Sequence, residues 1–213
     1  LLSNGNIAAW GRDTFGQVSG AATQSNVVYT FATDSSSFAV RSDGSISAWG
    51  WNDNGQLNTP AGFQLPTTVT WVSATNGDYL NSHLWNGRIP STALSTAVFD
   101  KSGTYNINFG NTARAKGLEV AAGDLTFDLG SHHYQVETDV SIANGASFTT
   151  NGTVTAGGAL DNAGSYFVNG ATSVRTLNNS GTMNVAGLLS ATHGVTNSGA
   201  IQVNYGSEML VGA

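Results

Sequence analysis

Titratable side chains are most concentrated in one short stretch near the middle of the chain. His132 and His133 lie there with Asp128, Glu137 and Asp139, residue types that can bind a metal ion or exchange protons with a substrate. Adjacent residues of a strand point to opposite faces, so the two imidazoles cannot easily bind one metal ion. The pattern therefore favours solvent-facing turn residues, and no metal site, cofactor site or catalytic residue is predicted.

Carboxylates could also support the cleavage of a glycan. Glycosidases use two carboxyl groups about 5–9.5 Å apart, and a repeat fold can supply them from neighbouring turns. Asp139 and Asp161 could stack in this way, with Asp124 as a further acid, whereas residues 177–203 contain no carboxylate. A glycan-degrading enzyme remains an alternative, and the chain is expected not to be an enzyme.

Three further motifs contain residue types that bind ligands in other proteins. Asp53-Asn54-Gly55 looks like part of a calcium loop but lacks the Glu that closes such loops. The glycines of residues 156–159 neither open a helix nor precede a phosphate-binding Lys. Trp51 and Trp85 could form an aromatic platform for a sugar, although tryptophans more often belong to a core.

Composition narrows the fold class and the partners. Only 9% of the residues are charged and the net charge is −6, so a basic surface for nucleic acid is not expected. No apolar stretch is long enough to cross a membrane as a helix, and the absence of Cys rules out disulfides. Thr, Val and aromatic residues alternate with turn residues, which predicts an all-β chain.

The amino-terminal third contains an internal repeat. Residues 3–17 align with residues 42–56, and Asn4-Gly5 and Asp43-Gly44 are typical of hairpin turns. Each copy is predicted to be a small antiparallel meander that buries its Trp and places glycines where a Cβ would clash. The repeat positions are Trp10 and Trp49, Gly11 and Gly50, Gly16 and Gly55, and Gln17 and Gln56.

Over residues 1–60 this pattern resembles the repeats of the regulator of chromosome condensation family. The resemblance is carried by Asp-Gly, Ala-Trp-Gly and Gly-Gln in that order. In that family several repeats close into a propeller, whereas at most two are present in this chain. The resemblance implies a Trp-Gly β module over residues 1–66, without the family's chromatin function.

A second repeat occupies the carboxy-terminal part of the chain. Residues 160–168, 177–185 and 195–203 each contain an aliphatic residue, an Asn-small-Gly corner and a short strand. Gly permits the corner, and Asn tolerates left-handed backbone and can form a ladder between turns. The pattern predicts a right-handed parallel β-helix over residues 67–213, irregular to about 150 and regular from about 160. Its corner residues are Asn162, Gly164, Asn179, Gly181, Asn197 and Gly199.

Between the repeats lie four short segments, residues 85–90, 96–100, 105–108 and 117–120. In that order they resemble the start of passenger-type β-helices in bacterial autotransporters and surface adhesins, a resemblance that covers residues 70–213. The resemblance implies a stiff extracellular stalk, whose partners would be a host or cell-surface glycan or protein, or a neighbouring subunit at the solenoid ends. A trimeric phage tail fibre or tailspike is the alternative. Either further copies of the first repeat precede residue 1 or its units pack as an open β module, and at the other end either the chain continues after residue 213 or a neighbouring subunit covers the last turn.

Overall fold

The computed structural model describes residues 1–90 and 94–212, so residues 91–93 and 213 of the predicted solenoid range lie outside it. The chain divides into two compact units, Leu1–Thr67 and Thr68–Ala213. Nearly all of the regular structure is β, as predicted, with short 3-10 helices at Ser19–Thr23 and Ser82–Leu84. In the described ranges, no helix is long and apolar enough to span a bilayer.

The first unit contains the predicted antiparallel sheet. Strands β1 (Val27–Ala32), β2 (Ser36–Arg41) and β3 (Ile46–Gly50) pair in that order. The turn between β2 and β3 contains Gly44, whose φ of +86° suits glycine and whose amide donates to the carbonyl of Arg41. Asp-Gly therefore makes the hairpin that its sequence indicates.

The two tryptophans of the amino-terminal repeat have different environments. The Trp49 indole donates to the Gln17 carbonyl at 2.9 Å and packs on Gly20, where a Cβ would clash with the ring. Trp10 is 84% exposed, and residues 7–10 form no strand. The prediction of a buried Trp in each copy is therefore wrong for Trp10, whose segment has no partner strand in the described part of the chain, and Trp49 is only half-buried.

The second unit is a parallel β-solenoid of about six turns, which confirms the predicted solenoid. Three strands per turn build three faces, and each strand pairs in parallel with its counterpart in the next turn. The first face contains β4 (Thr68–Thr70), β6 (Thr96–Phe99), β9 (Gly117–Val120), β11 (Val140–Ile142), β13 (Ala159–Asn162), β16 (Thr176–Asn179) and β19 (Val195–Asn197). The second face contains β5 (Gly77–Asp78), β7 (Thr104–Asn108), the first parts of β10 (Asp124–Val136) and β12 (Ser147–Ala156), then β14 (Ser165–Val168), β17 (Thr182–Val185) and β20 (Ala200–Val203). The third face contains β8 (Ala113–Ala115), the last parts of β10 and β12, then β15 (Ala171–Val174), β18 (Leu188–Ala191) and β21 (Glu208–Val211).

Turn length becomes regular toward the carboxyl end. The stacked aliphatic positions Leu118, Val140, Leu160, Leu177 and Val195 are in direct register on the first face. The chain separation between stacked positions falls from 22 residues in the earliest of these turns to 20, and then to 17 and 18. Within the strands that contain these positions, residues alternate between buried and outward-facing, as the period of two in a strand requires.

The interior of the early turns is filled mainly by aromatic side chains. Trp85 is only 3% exposed, packs edge-on against Trp71 at 5.1 Å between ring centroids, and donates from Nε1 to the Tyr79 carbonyl at 2.8 Å. The possible role of Trp85 in a sugar platform is therefore wrong, and its ring lies in the core, where tryptophans are more often found. Later turns replace these rings with stacked aliphatic residues such as Leu177 and Leu189.

Four tyrosines of this core have raised pKa values, mainly because burial disfavours the phenolate. The pKa of Tyr105 is raised to about 12, and those of Tyr79, Tyr134 and Tyr166 are also raised. Tyr79 and Tyr134 also bond through their hydroxyls at 2.9 Å.

Alkaline pH is therefore expected to destabilise the solenoid. A folded-state pKa above the unfolded value of about 10 gives stability that is complete below pH 10 and lost as the pH rises through 10 toward 12. Urea unfolding midpoints should fall over that interval, and tyrosinate absorbance of the core should rise only with unfolding. Tyr105→Phe should flatten part of the decline, and an unchanged midpoint up to pH 12 would contradict the assignment.

Candidate functional site

Three asparagines form a ladder inside the corner between the first and second faces. Asn162 and Asn179 are almost fully buried, whereas Asn197 is exposed. The Nδ2 of Asn162 donates to Oδ1 of Asn179 at 2.7 Å, and the Nδ2 of Asn179 donates to Oδ1 of Asn197 at 2.7 Å. The same amides also donate to the carbonyls of Thr182 and Ala200. The ladder thus joins three successive turns through side chains as well as through backbone.

The ladder has a defined first member. The residue stacked before Asn162 is Ile142, which offers no hydrogen-bond donor from its side chain. Oδ1 of Asn162 accordingly has no partner among the described residues, although it is buried. Such an unpaired acceptor costs free energy, whereas the Nδ2 atoms of Asn162 and Asn179 gain hydrogen bonds within the ladder.

A column of glycines follows the ladder at the same corner. A Cβ on Gly181 would clash with the Gly164 carbonyl oxygen, and one on Gly199 would clash with that of Gly181. Gly164 is similarly close to the Ala146 and Ala143 carbonyls. None of these glycines has a positive φ, and Asn26 is the one non-glycine residue with a positive φ in the described ranges. The corner therefore requires glycine for close approach between turns, and its asparagines are not left-handed.

The histidine cluster does not come together as a site. His132 is half-buried and His133 is exposed on β10, and the His133 amide donates to Thr112 Oγ1 at 3.4 Å. In the part of the chain that the structure describes, no three His, Asp or Glu side chains are arranged to hold a metal ion.

The predicted stacking of Asp139 on Asp161 is wrong. Asp161 is in register with Ser141, while Asp139 lies two residues before Ser141 in the chain. The Asp139 carboxylate instead accepts the Ala159 amide at 2.7 Å. Chain separation alone was misleading, because the turns differ in the lengths of their corners.

Sequence reasoning missed Glu119, which belongs to the same outward row as Asp161. Glu119 is outward-facing and in register with Ser141, which is in turn in register with Asp161. Two inter-strand spacings therefore separate Glu119 from Asp161, about 9.6 Å along the solenoid. This outward row could have been predicted by aligning the turns on their inward Val, Ile or Asn residue and comparing the residue that directly precedes it in each turn.

The motifs of the first unit have mainly local roles. Residues 52–57 form a turn in which the Gly55 amide donates to the Asn52 carbonyl and the Leu57 amide donates to Oδ1 of Asn52. Trp51 is half-buried, with its ring 6.1 Å from that of Phe15. Gly11 and Gly50 have φ values of +112° and +109°, so the backbone has the same conformation directly after both tryptophans of the repeat.

A shallow groove of about 400 Å³ crosses the turns on the first face. The floor of the groove is formed by one outward-facing residue from each turn, and we name this line of residues the polar row. The edge of the groove is formed by small corner residues such as Ala163 and Ser180. Asn178 Nδ2 donates to Asp161 Oδ1 at 2.7 Å within the row. The polar row consists of Glu119, Ser141, Asp161, Asn178 and Thr196.

Comparison with protein-family models, curated proteins and solved structures found no match to this chain. The resemblances to chromosome-condensation repeats and to autotransporter passengers therefore remain predictions. A functional proposal rests instead on the parallel solenoid, its asparagine ladder and its outward polar row.

Proposed function

We propose that this chain is a structural and adhesive module of an extracellular surface protein, with the solenoid as a stiff stalk. The supporting observation is that every regular turn is joined to the next through the backbone on all three faces and through the asparagine ladder. In such an array each turn adds a fixed increment of length, and stability comes from contacts with neighbouring turns.

The finer parts of the proposal are an adhesin of the autotransporter passenger type, right-handed winding, and display outside the cell. They are supported by the low charge, the polar outward Asn, Ser and Thr residues and the sequence resemblance. A phage tail fibre with the same solenoid would differ in being a stable trimer, so the molecular mass in solution distinguishes the two.

Removing one complete turn is expected to shorten the stalk without unfolding it. Leu177 is in register with Leu160, and Gly181 follows Asn179 as Gly164 follows Asn162. Deletion of residues 160–176 should therefore let residues 177–194 stack where the deleted turn lay. Deletion of residues 160–167, which is not a whole turn, should instead expose the chain to protease.

Spin labels can measure this shortening, because the protein has no native Cys to interfere. Cysteines replacing Thr70 and Thr196 would lie six strand spacings apart on the first face, about 29 Å along the solenoid axis. Pulsed dipolar spectroscopy should give one narrow distance, shorter by about 5 Å after deletion of residues 160–176. A broad distribution, or unfolding equal to that of the partial deletion, would refute the stalk.

A further inference from the structure

We infer that the groove over the polar row binds a neutral, hydroxyl-rich polymer, a polysaccharide lying along the solenoid axis. This inference names the partner of the proposed adhesive module and therefore depends on that function. It begins from register: five outward side chains from five successive turns share one line, spaced about 4.8 Å apart. The row is thus a straight track about 19 Å long.

The hydrogen-bonding groups of the row fit hydroxyl ligands. Glu119 and Asp161 supply acceptors, Ser141 and Thr196 supply hydroxyls that both donate and accept, and Asn178 supplies an amide. The bond from Asn178 to Asp161 holds two of these side chains in fixed positions. Both side chains are exposed, so a sugar with adjacent hydroxyls can bond to both without rearranging them.

Charge and shape argue against other ligand classes. The groove lining includes two carboxylates and no Lys, Arg or aromatic side chain, so phosphate- and sulfate-bearing polymers are repelled and bases have nothing on which to stack. The backbone positions of Glu119 and Asp161 are two strand spacings apart with Ser141 between them, and among the described residues no three His, Asp or Glu side chains are placed to hold a metal ion. The one large apolar side chain of the lining, Ile142, is buried, so the groove has no deep apolar pocket for a peptide side chain or a lipid.

A repeating ligand gains most from this geometry. Each turn can form one or two exposed hydrogen bonds with a ligand, and each such bond is weak in water. A chain of sugars that extends across several turns forms several such contacts after a single loss of translational freedom, so affinity should rise with the number of sugar units. Single sugars should bind far more weakly than hexasaccharides.

The test is a titration of the isotope-labelled full chain, followed by amide chemical shifts. The probes are neutral hexasaccharides of β-1,4-linked glucose, β-1,3-linked glucose and β-1,4-linked mannose, with a heparin hexasaccharide as the anionic comparison. At least one neutral probe should shift the amides of Asp161 and Asn178, and the heparin probe should not. Preferred binding of heparin, or no shift with any neutral probe, would overturn the inference.

Variants then locate the binding surface. Asp161→Ala and Asn178→Ala should each weaken binding about tenfold, and the double variant further. Gln135→Ala is the matched control, because it removes an outward amide on the third face that is not in the groove. Equal weakening by the control would exclude the groove. A stalk of normal length by spin labelling that binds no neutral glycan would remove this inference while leaving the stalk intact.

Discussion

Replacing Asn179 with Ala is expected to lower the free energy of unfolding by about 3 kcal/mol, a large share of the stability of an ordinary domain. Its side chain accepts a bond from Asn162 and donates to Asn197 and to the Ala200 carbonyl. Truncation removes these bonds in a buried corner. It also leaves an acceptor on Ala200 and a cavity that the rigid backbone of the neighbouring turns cannot close.

Asn178 provides the matched control for this prediction. It has the same side chain, is the adjacent residue of β16, and points outward, where it bonds to Asp161. Asn178→Ala should change the stability by less than about 0.5 kcal/mol, because water replaces the lost bond. Urea denaturation of both variants at neutral pH measures the difference. Equal effects would mean that the ladder adds nothing beyond an exposed hydrogen bond.

Most of the fold could be predicted from the spacing of the sequence repeats. Three copies of an Asn-small-Gly corner, whose asparagines are 17 and 18 residues apart, indicate both the turn length and which residues stack. A parallel solenoid follows because identical corners can superimpose only if successive turns are in register. The earlier turns were less visible, because they are longer and their corners lack the motif.

Side-chain environments were harder to predict than strands. Trp10 and Trp49 have the same flanking residues, yet only Trp49 lies on a strand with a neighbour to cover it. Burial of a repeat residue depends on what packs against the repeat, which a local pattern does not contain. For Trp85 the sequence left both a sugar platform and a core position open, and only the structure shows that the aromatic core of the early turns encloses it.

The polar row was missed for a related reason. Outward residues have no hydrophobic signal, so only the strand register reveals which of them form a line. Glu119 and Asp161 lie two turns apart in the chain, and the irregular corner lengths between them conceal their shared row. Once the inward aliphatic positions are aligned, however, the outward row follows directly.

The second large effect is expected at Gly181, where Ala should lower the free energy of unfolding by about 3 kcal/mol or more. The φ of Gly181 is not positive, so alanine is compatible with the backbone itself. The added Cβ would instead clash with the Gly164 carbonyl oxygen and lie 2.8 Å from that of Ala163. To relieve the contact the turns must separate, which lengthens the bonds from Thr182 to Gly164 and from Ala200 to Gly181, both 2.8–2.9 Å.

Gly130→Ala separates this overpacking from ordinary glycine strain. Gly130 has a φ of +55°, and no atom lies within 4 Å of the place that a Cβ would occupy, so its cost is only that of left-handed backbone, about 1–2 kcal/mol. Thermal and urea unfolding should therefore rank Gly181→Ala as clearly less stable than Gly130→Ala. Amide exchange should accelerate in Thr182 and Ala200 for the first variant alone. If both variants lose the same free energy of unfolding, then the close approach of neighbouring turns is not the reason that this corner requires glycine. Backbone conformation would then be the reason.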